Sequence, residues 1–254
     1  MSEWLALGLL LLGAILANLL SSLSGGGAGL VQFPLLLLLG LPFSTALATH
    51  KVASVALGIG ATLKHYRAGT IDWPITLYVT VAGTLGVIIG AKVILFVPSE
   101  IATRALGALI FSLGCYSLLK KDLGMTPAPK HRNPFGLIMG GLGLASIGIL
   151  NGSLTAGTGL FVTLFLIHWF GFAYQQAVAI TLVSVGLCWN GIGGLTLVYL
   201  NAPIYWPWLA ILLLGSFIGG YAGAHLATTH SNKLIKRCFV TLTLFIGAKL
   251  LLGL

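Results

Sequence analysis

Charge is what this sequence has least of. Asp, Glu, Lys and Arg make up 7% of its 254 residues, against about 25% in a soluble globular protein. So few ionisable side chains cannot solvate the surface of a water-soluble fold of this size, which excludes a soluble enzyme and a nucleic-acid-binding domain. The scarcity is sharpest for acids: only Glu3, Asp72, Glu100 and Asp122 occur. All four fall in loops or near helix ends, and Glu100 precedes Arg104 by four residues, the spacing of an ion pair on a helix. No carboxylate is therefore left within an apolar segment to bind a metal, to hold sodium by charge or to carry a proton as carboxylate-based pumps do. Neither a metal nor a cofactor is expected. Cysteine is equally thin. Cys115, Cys188 and Cys238 lie in apolar stretches, and an odd number so placed makes no disulfide framework; they read as small packing residues. Met1-Ser2-Glu3-Trp4 lacks the basic stretch that opens a signal peptide, so the apolar run behind it is expected to be a retained helix.

What the chain does have is 57% hydrophobic residues and 35 glycines. At roughly 20 to 25 residues per crossing and turn, the length accommodates about eight to ten membrane segments and no separate domain outside the bilayer. Apolar runs fall near 4–20, 28–41, 44–63, 74–97, 100–119, 135–150, 157–171, 174–199, 206–227 and 234–253. Runs apolar on all sides close their backbone hydrogen bonds internally in lipid, so the expectation is an all-α integral membrane protein. One long polar stretch, Lys120 to Pro134, divides five segments from five. The expected organisation is a first transmembrane repeat over 1–122, a cytoplasmic linker over 123–134 and a second repeat over 135–254.

The halves echo each other. Gly29 and Gly159 differ by 130 positions and Ala46 and Ala177 by 131, while Trp73-Pro74/Trp206-Pro207, Gly86/Gly219, Gly90-Ala91/Gly223-Ala224 and Arg104/Arg237 keep 133. An offset that carries Trp-Pro, Gly-Ala and Arg together points to an internal duplication. Basic residues orient it. Nine of the 13 lie in three places: Lys64 and Arg67; Lys120, Lys121, Lys130 and Arg132; Lys233, Lys236 and Arg237. By the positive-inside rule these are cytoplasmic. The uncharged Asn201 to Trp206 loop, equivalent to the basic loop after Lys64, is then external. Equivalent loops on opposite sides imply two inverted-topology repeats with both termini outside, an arrangement typical of secondary transporters.

In each half the second segment is short and follows a glycine-rich run: Ser22-Leu23-Ser24-Gly25-Gly26-Gly27-Ala28-Gly29, and Asn151-Gly152-Ser153-Leu154-Thr155-Ala156-Gly157-Thr158-Gly159. Glycine is a poor helix former, so broken or re-entrant helices are expected there, each leaving free N–H groups at a new helix start. Such a start attracts anions through its dipole, and Ser24, Ser153, Thr155 and Thr158 add neutral donors. Small residues also serve close helix packing, which is the competing explanation of these runs. Lys51 lies 13 positions before Lys64, roughly 20 Å along a helix, too deep for its ammonium to reach the interface. His50, Lys51 and Ser54 share one helical face with Gly58 and Ala61, and Thr181 and Ser184 share a corresponding face of the eighth segment. The two faces are expected to line one anion-selective cavity, with His50 available for proton coupling; the alternative is that His50 and Lys51 form an interfacial pair near a tilted helix end.

The run into Gly29-Leu30-Val31-Gln32-Phe33-Pro34, then Leu41-Pro42 and Ala46-Leu47-Ala48-Thr49-His50-Lys51, resembles the sulfite exporter TauE/SafE family, also known as toluene sulfonate uptake permeases. Members commonly carry a Gly-Thr-Asn-Lys-like motif, read here as Ala48-Thr49-His50-Lys51, and an echo of it in the second half, here Ala179-Ile180-Thr181-Leu182. The resemblance adds Gln32 and Thr49 to the candidate site and implies a transporter of small sulfur-containing anions such as sulfite or organosulfonates in the bacterial inner membrane. The expected function is thus a secondary transporter, export favoured over uptake, with a small anionic substrate and the lipid bilayer as its partners and no nucleic acid. Two other classes stay open: an anion channel of the same architecture, and a membrane-embedded serine hydrolase pairing Ser24 or Ser153 with His50.

Overall fold

Hydrocarbon offers the backbone no water, so an apolar chain meets its hydrogen bonds by winding into helices. The computed structural model describes residues 3–26, 28–119, 129–229 and 244–252, and every regular element among them is helical. In order these are α1 (Glu3–Ser24), α2 (Ala28–Leu38), α3 (Phe43–Arg67), α4 (Trp73–Ile94), α5 (Ser99–Leu119), α6 (Pro134–Ser153) and α7 (Thr158–Phe170). One long span, Tyr174–Tyr199, follows, built from α8 (Tyr174–Thr181), a π-helical stretch (Leu182–Trp189) and α9 (Asn190–Tyr199). Then come α10 (Trp206–Thr229) and a helical stretch over 244–252. The expected segment 234–253 is described only over 244–252. Lys120, Lys121, Asp122 and the rest of 120–128 lie outside the described residues, as do His230, Lys233, Lys236, Arg237 and Cys238.

Among the described residues five helical spans are long and apolar enough to cross a membrane: α3, α4, α6, Tyr174–Tyr199 and α10. Local signals start two of them. Asp72 accepts the Ile75 N–H at 3.3 Å ahead of Pro74, and Asn133 accepts the Gly136 N–H at 2.8 Å ahead of Pro134, each pairing a side-chain cap with a proline that has no N–H to waste. Burial then sorts the five. Of their most apolar stretches, α3 and Tyr174–Tyr199 are each 72% buried, whereas α4, α6 and α10 are 39, 33 and 44% buried. The first two form the centre of the bundle. The others turn leucines and isoleucines outward, as along Leu77, Val81 and Leu85 on α4 or Ile138, Leu142 and Ile149 on α6.

Glycine seams join the outer helices. Gly215, Gly219 and Gly223 of α10 press on Leu11 and Ala14, on Ile15 and Leu19, and on Leu19 and Ser22 of α1, so α1 and α10 run parallel. Likewise Gly86 of α4 presses on Ala145 and Ile149, and Gly90 on Ile149 and Ser153, so α4 and α6 run parallel. A side chain at any of these positions would hold the backbones apart. The glycines of the two seams are 133 positions apart (Gly86/Gly219, Gly90/Gly223) and their partners 130 apart (Ile15/Ala145, Leu19/Ile149).

These contacts also sort the ends of the bundle. Lys64 and Arg67 close α3 where α4 begins. Tyr78 near the start of α4 donates to the Leu137 carbonyl, bringing the start of α6 to the same end. There the Lys130 N–H donates to the Phe170 carbonyl at 3.2 Å, His131 stacks on Trp169 at 4.4 Å, and the Arg132 guanidinium covers the Phe172 ring at 4.9 Å. Lys64, Arg67, Lys130 and Arg132 thus share one end, here called the basic end. The Asn201–Tyr205 turn lies toward the other, because the Tyr205 N–H donates to Thr49 Oγ1 near the start of α3 at 2.9 Å. The beginning of α1, parallel to α10, is also there, and so are Lys249, Leu250 and Leu252 beside Leu37 to Phe43.

With 11 and 13 residues, α2 and α7 are about 16 and 20 Å long at 1.5 Å per residue, short of the roughly 30 Å hydrocarbon core. α2 returns to the end where α1 begins, and α7 to the end where α6 begins. Both pairs therefore double back as helical hairpins, α1–α2 from the turn end and α6–α7 from the basic end. Their first arms outrun the sequence expectation: α1 is helical to Ser24 and α6 to Ser153, so the bends begin after the serines and Asn151, which belong to the helices.

Candidate substrate site

The two hairpin tips meet beside the middle of the central helices. A Cβ added to Gly29 would stand 3.0 Å from Ala156 Cα and 3.0 Å from the Thr155 carbonyl oxygen; one added to Gly159 would stand 2.6 Å from Gly26 Cα and 3.1 Å from the Gly25 oxygen. Gly29/Gly159, Gly26/Ala156 and Gly25/Thr155 are all 130 positions apart, so each tip grips the other in the same way. The bends use left-handed backbone at Gly25 (φ 81°), Gly26 (φ 125°), Thr155 (φ 56°) and Gly157 (φ 70°). For β-branched Thr155 that conformation is strained, by about 1–3 kcal/mol. The Thr158 hydroxyl, donating to the Thr155 carbonyl at 2.8 Å, helps to hold it.

Beyond each bend a new helix starts, α2 at Ala28 and α7 at Thr158, and both starts line one small cavity. The positive poles of both helix dipoles therefore converge on it. The cavity has about 20 Å³ of free space, room for roughly one water molecule. Ser21, His50, Asn151, Thr155, Thr181 and Asn190 supply its polar side chains; Leu57, Val185 and Gly186 supply apolar wall.

Lys51 stands beside this cavity with no solvent exposure. Its ammonium donates to Asn151 Oδ1 at 3.1 Å, and Asn151 Nδ2 donates in turn to Thr158 Oγ1 at 2.9 Å and to Asn190 Oδ1 at 3.4 Å. One amide thus couples the buried cation to the start of α7. Among the described residues the ion pair is Glu100–Arg104, an exposed pair at 2.6 Å, so Lys51 is buried with a neutral partner in place of a carboxylate. Burying an ammonium without a counter-ion costs free energy that an anion in the cavity recovers. No group of three or more potential metal ligands occurs among the described residues.

The remaining sequence candidates separate. His50 lines the cavity, lies 3.2 Å through Nε2 from Ser54 Oγ and stacks on Phe33 with ring centroids 5.8 Å apart. Gly26, Gly29, Thr155, Gly157, Thr158, Gly159 and Thr181 line the cavity, and Gly25 supports it by accepting the Thr163 hydroxyl at 2.9 Å. Four candidates do other work. Gln32 bridges Asn18 (2.9 Å) and Ser216 (3.3 Å), tying α2 to α1 and α10; Thr49 holds the Tyr205 turn. Ser184 donates to the Thr76 carbonyl at 3.1 Å, fastening the π stretch to α4, and Ser153 donates to the Ile149 carbonyl at 2.8 Å within its own helix. Gly27 and the Ser24 side chain lie outside the described residues. Sequence reasoning missed Ser21, Asn151 and Asn190; the signal available was a carboxamide inside an apolar segment, twice, and the offset of 130 between Ser21 and Asn151.

Comparison with known proteins bears on the same span. Residues 10–250 match the family described as Sulfite exporter TauE/SafE. The chain belongs to the TauE/SafE family. Among TauE/SafE-like relatives, the probable membrane transporter protein YfcA of Escherichia coli K12 is 30% identical over 252 residues, covering 97% of this chain and 90% of that protein. The probable membrane transporter ORF9 of a Sinorhizobium species is 26% identical, with 96% of this chain and 92% of that protein aligned. YdhB of Bacillus subtilis, also a probable membrane transporter, is 27% identical across 94% of this chain and 96% of its own. No solved structure matches the chain. As a TauE/SafE member the protein is a membrane transporter and not an enzyme, which removes the serine hydrolase from consideration.

Proposed function

We propose that the protein is a secondary transporter of small sulfur-containing oxyanions, sulfite or organosulfonates, exporting them across the bacterial inner membrane by alternating access between two inverted repeats. The observation that carries the reading is the fully buried Lys51, partnered by an amide and joined through Asn151 to the helix start at Thr158. A cation and two helix poles around a carboxylate-free cavity favour a small anion, and hydroxyl and amide donors suit its several oxygens. The inverted repeat draws support from the glycine seams and hairpin tips, whose partners exchange when the halves exchange, and from the opposite ends at which the two hairpins enter. With the basic end cytoplasmic, both described termini face outward. His50, against the cavity, is the group through which a proton accompanies the anion.

A cavity with room for one water must expand to admit sulfite, so substrate enters through a conformational change of the kind the tip-to-tip contact permits. The deciding experiment is flux of radiolabelled sulfite into liposomes holding the purified protein. Saturable uptake, accelerated by unlabelled sulfite on the far side, is expected. Flux that grows linearly with concentration and ignores the far side would replace the transporter with an anion channel, and absence of flux for sulfite, thiosulfate and sulfonates alike would remove the substrate class.

A further inference from the structure

Leu57 of α3 lines the cavity, and from it the 100° helical step keeps Gly58, Ala61, Thr62 and His65 within about 140° of the helix surface, a stripe that runs from the cavity to the basic end. Two atoms on this stripe are buried and have no hydrogen-bond partner, Thr62 Oγ1 and His65 Nε2. Thr62 is unusual for this protein. Thr76, Thr80, Thr84, Thr103 and Thr196 all donate to the carbonyl four residues earlier, as threonine does within a helix, whereas the Thr62 hydroxyl does not. His65 is held from its other side, Nδ1 lying 2.9 Å from Thr70 Oγ1, which leaves Nε2 directed elsewhere. Buried polar atoms lacking a protein partner are sites of bound water, and two of them one turn apart mark one hydrated space.

Between that space and the cavity stands little. Ala61, Val178, Leu182 and Ala224 form a separate small apolar cluster, with Tyr174 packed against it. Leu182 belongs to this cluster and also lines the cavity, so its side chain stands between the cluster and the cavity. It is the first residue of the π-helical stretch, and π-helical turns inside α-helices recur at functional, adjustable positions. At the same level Gly58 presses on the backbone of Gly186 and Leu187, a crossing at which a shift of the π stretch is transmitted directly to α3. Toward the opposite end the seal is far thicker, a single cluster that includes Leu30, Phe33, Leu36, Phe43, Leu47 and Leu197.

We propose that the Lys51 cavity communicates with the basic end through a gate formed by Leu182 with Ala61, Val178 and Ala224, and that Thr62 and His65 line a water-filled vestibule on the far side of that gate. The proposal deepens the transporter reading by assigning the route by which the site exchanges with one side of the membrane. Its test is independent of substrate identity. In a background with Cys115, Cys188 and Cys238 replaced, Thr62→Cys is exposed in membrane vesicles to a small, membrane-impermeant, charged thiol reagent applied to either face. Rapid modification from the basic face alone is expected. A second reporter, Ser21→Cys in the cavity, is modified slowly from that face, and adding Leu182→Ala should speed it about tenfold or more as the seal loses its largest side chain. Leu182→Val, a milder truncation, should give an intermediate rate and serves if the alanine variant folds poorly. A Thr62→Cys that no reagent reaches would overturn the vestibule; an unchanged Ser21→Cys rate in both Leu182 variants would overturn the gate. Either outcome leaves anion flux by the unmodified protein standing, so the route and the transport function fail separately.

Discussion

Replacing Lys51 with methionine, similar in length and without charge, separates stability from binding at the proposed site. In the folded protein the ammonium is fully buried and has one hydrogen bond to a neutral amide, at 3.1 Å. Removing it leaves Asn151 Oδ1 unpaired, at about 1–3 kcal/mol, but also relieves the desolvation of a full charge, which in buried positions amounts to several kcal/mol. The balance predicts a thermal midpoint equal to or above that of the unmodified protein. Binding moves the other way. A charge-assisted hydrogen bond contributes about 1.5–3 kcal/mol, or roughly 10- to 150-fold in affinity at 1.4 kcal/mol per decade. Calorimetric titration of purified protein with sulfite, alongside thermal unfolding, reads both quantities. A variant that binds sulfite within a factor of two of the unmodified protein would refute the argument, and so would one that loses stability in proportion to affinity, because Lys51 would then be a structural residue. Gly193 and Val87 lie close around the ammonium, so arginine, with its larger planar head, is expected to restore binding only in part.

Asn151→Asp supplies the missing counter-ion next to Lys51; stability should hold or rise while anion flux in liposomes falls at least about tenfold, since the site is now internally neutralised, and retained flux would disconnect the pair from transport. His50→Asn keeps a polar group beside Ser54 but cannot bind a proton, so flux should persist with a flattened dependence on pH; an unaltered profile would remove His50 from proton coupling. For orientation, a cysteine at Asn201 should label from the outer face and one at Arg132 from the cytoplasmic face, and the reverse pattern would invert the proposed topology.

Much of this arrangement was legible in the sequence because lipid leaves few solutions to a backbone's hydrogen bonds. Apolar runs become helices, and glycine runs in the middle of such helices become bends, so α1–α2 and α6–α7 follow from composition almost directly. Gly29 and Gly159, singled out by their offset of 130, each meet the other hairpin's backbone. Sequence position also placed Lys51 and His50 well inside α3, where both are buried. It did not tell which hydroxyls on a polar face turn toward the cavity. Ser184 and Thr181 lie on the same stretch, yet Ser184 is claimed by the Thr76 carbonyl and Thr181 is not. That choice depends on α4, a helix about 100 residues away in sequence.

The same limit explains why Asn151 was overlooked although it sits at the head of a motif singled out for its glycines. In sequence it reads as the polar start of a loop, where carboxamides are common and cheap. In the fold it occupies the last turn of α6, and its two polar ends meet a buried ammonium on one side and, on the other, the hydroxyl that begins α7 and the Asn190 amide oxygen. An amide suits that place because it accepts from Lys51 and donates to Thr158 at once without supplying charge; a carboxylate would do the first and quench the cation, and an aliphatic side chain would do neither. In the proposed anion site the residue that keeps Lys51 both held and unneutralised therefore matters as much as the lysine itself, and Ser21, 130 positions earlier, borders the same cavity with a smaller group. Under the proposed duplication the charge of the cage thus comes from one half alone, so in the proposed transport cycle an anion leaving the cavity parts from a single cation whichever way it goes.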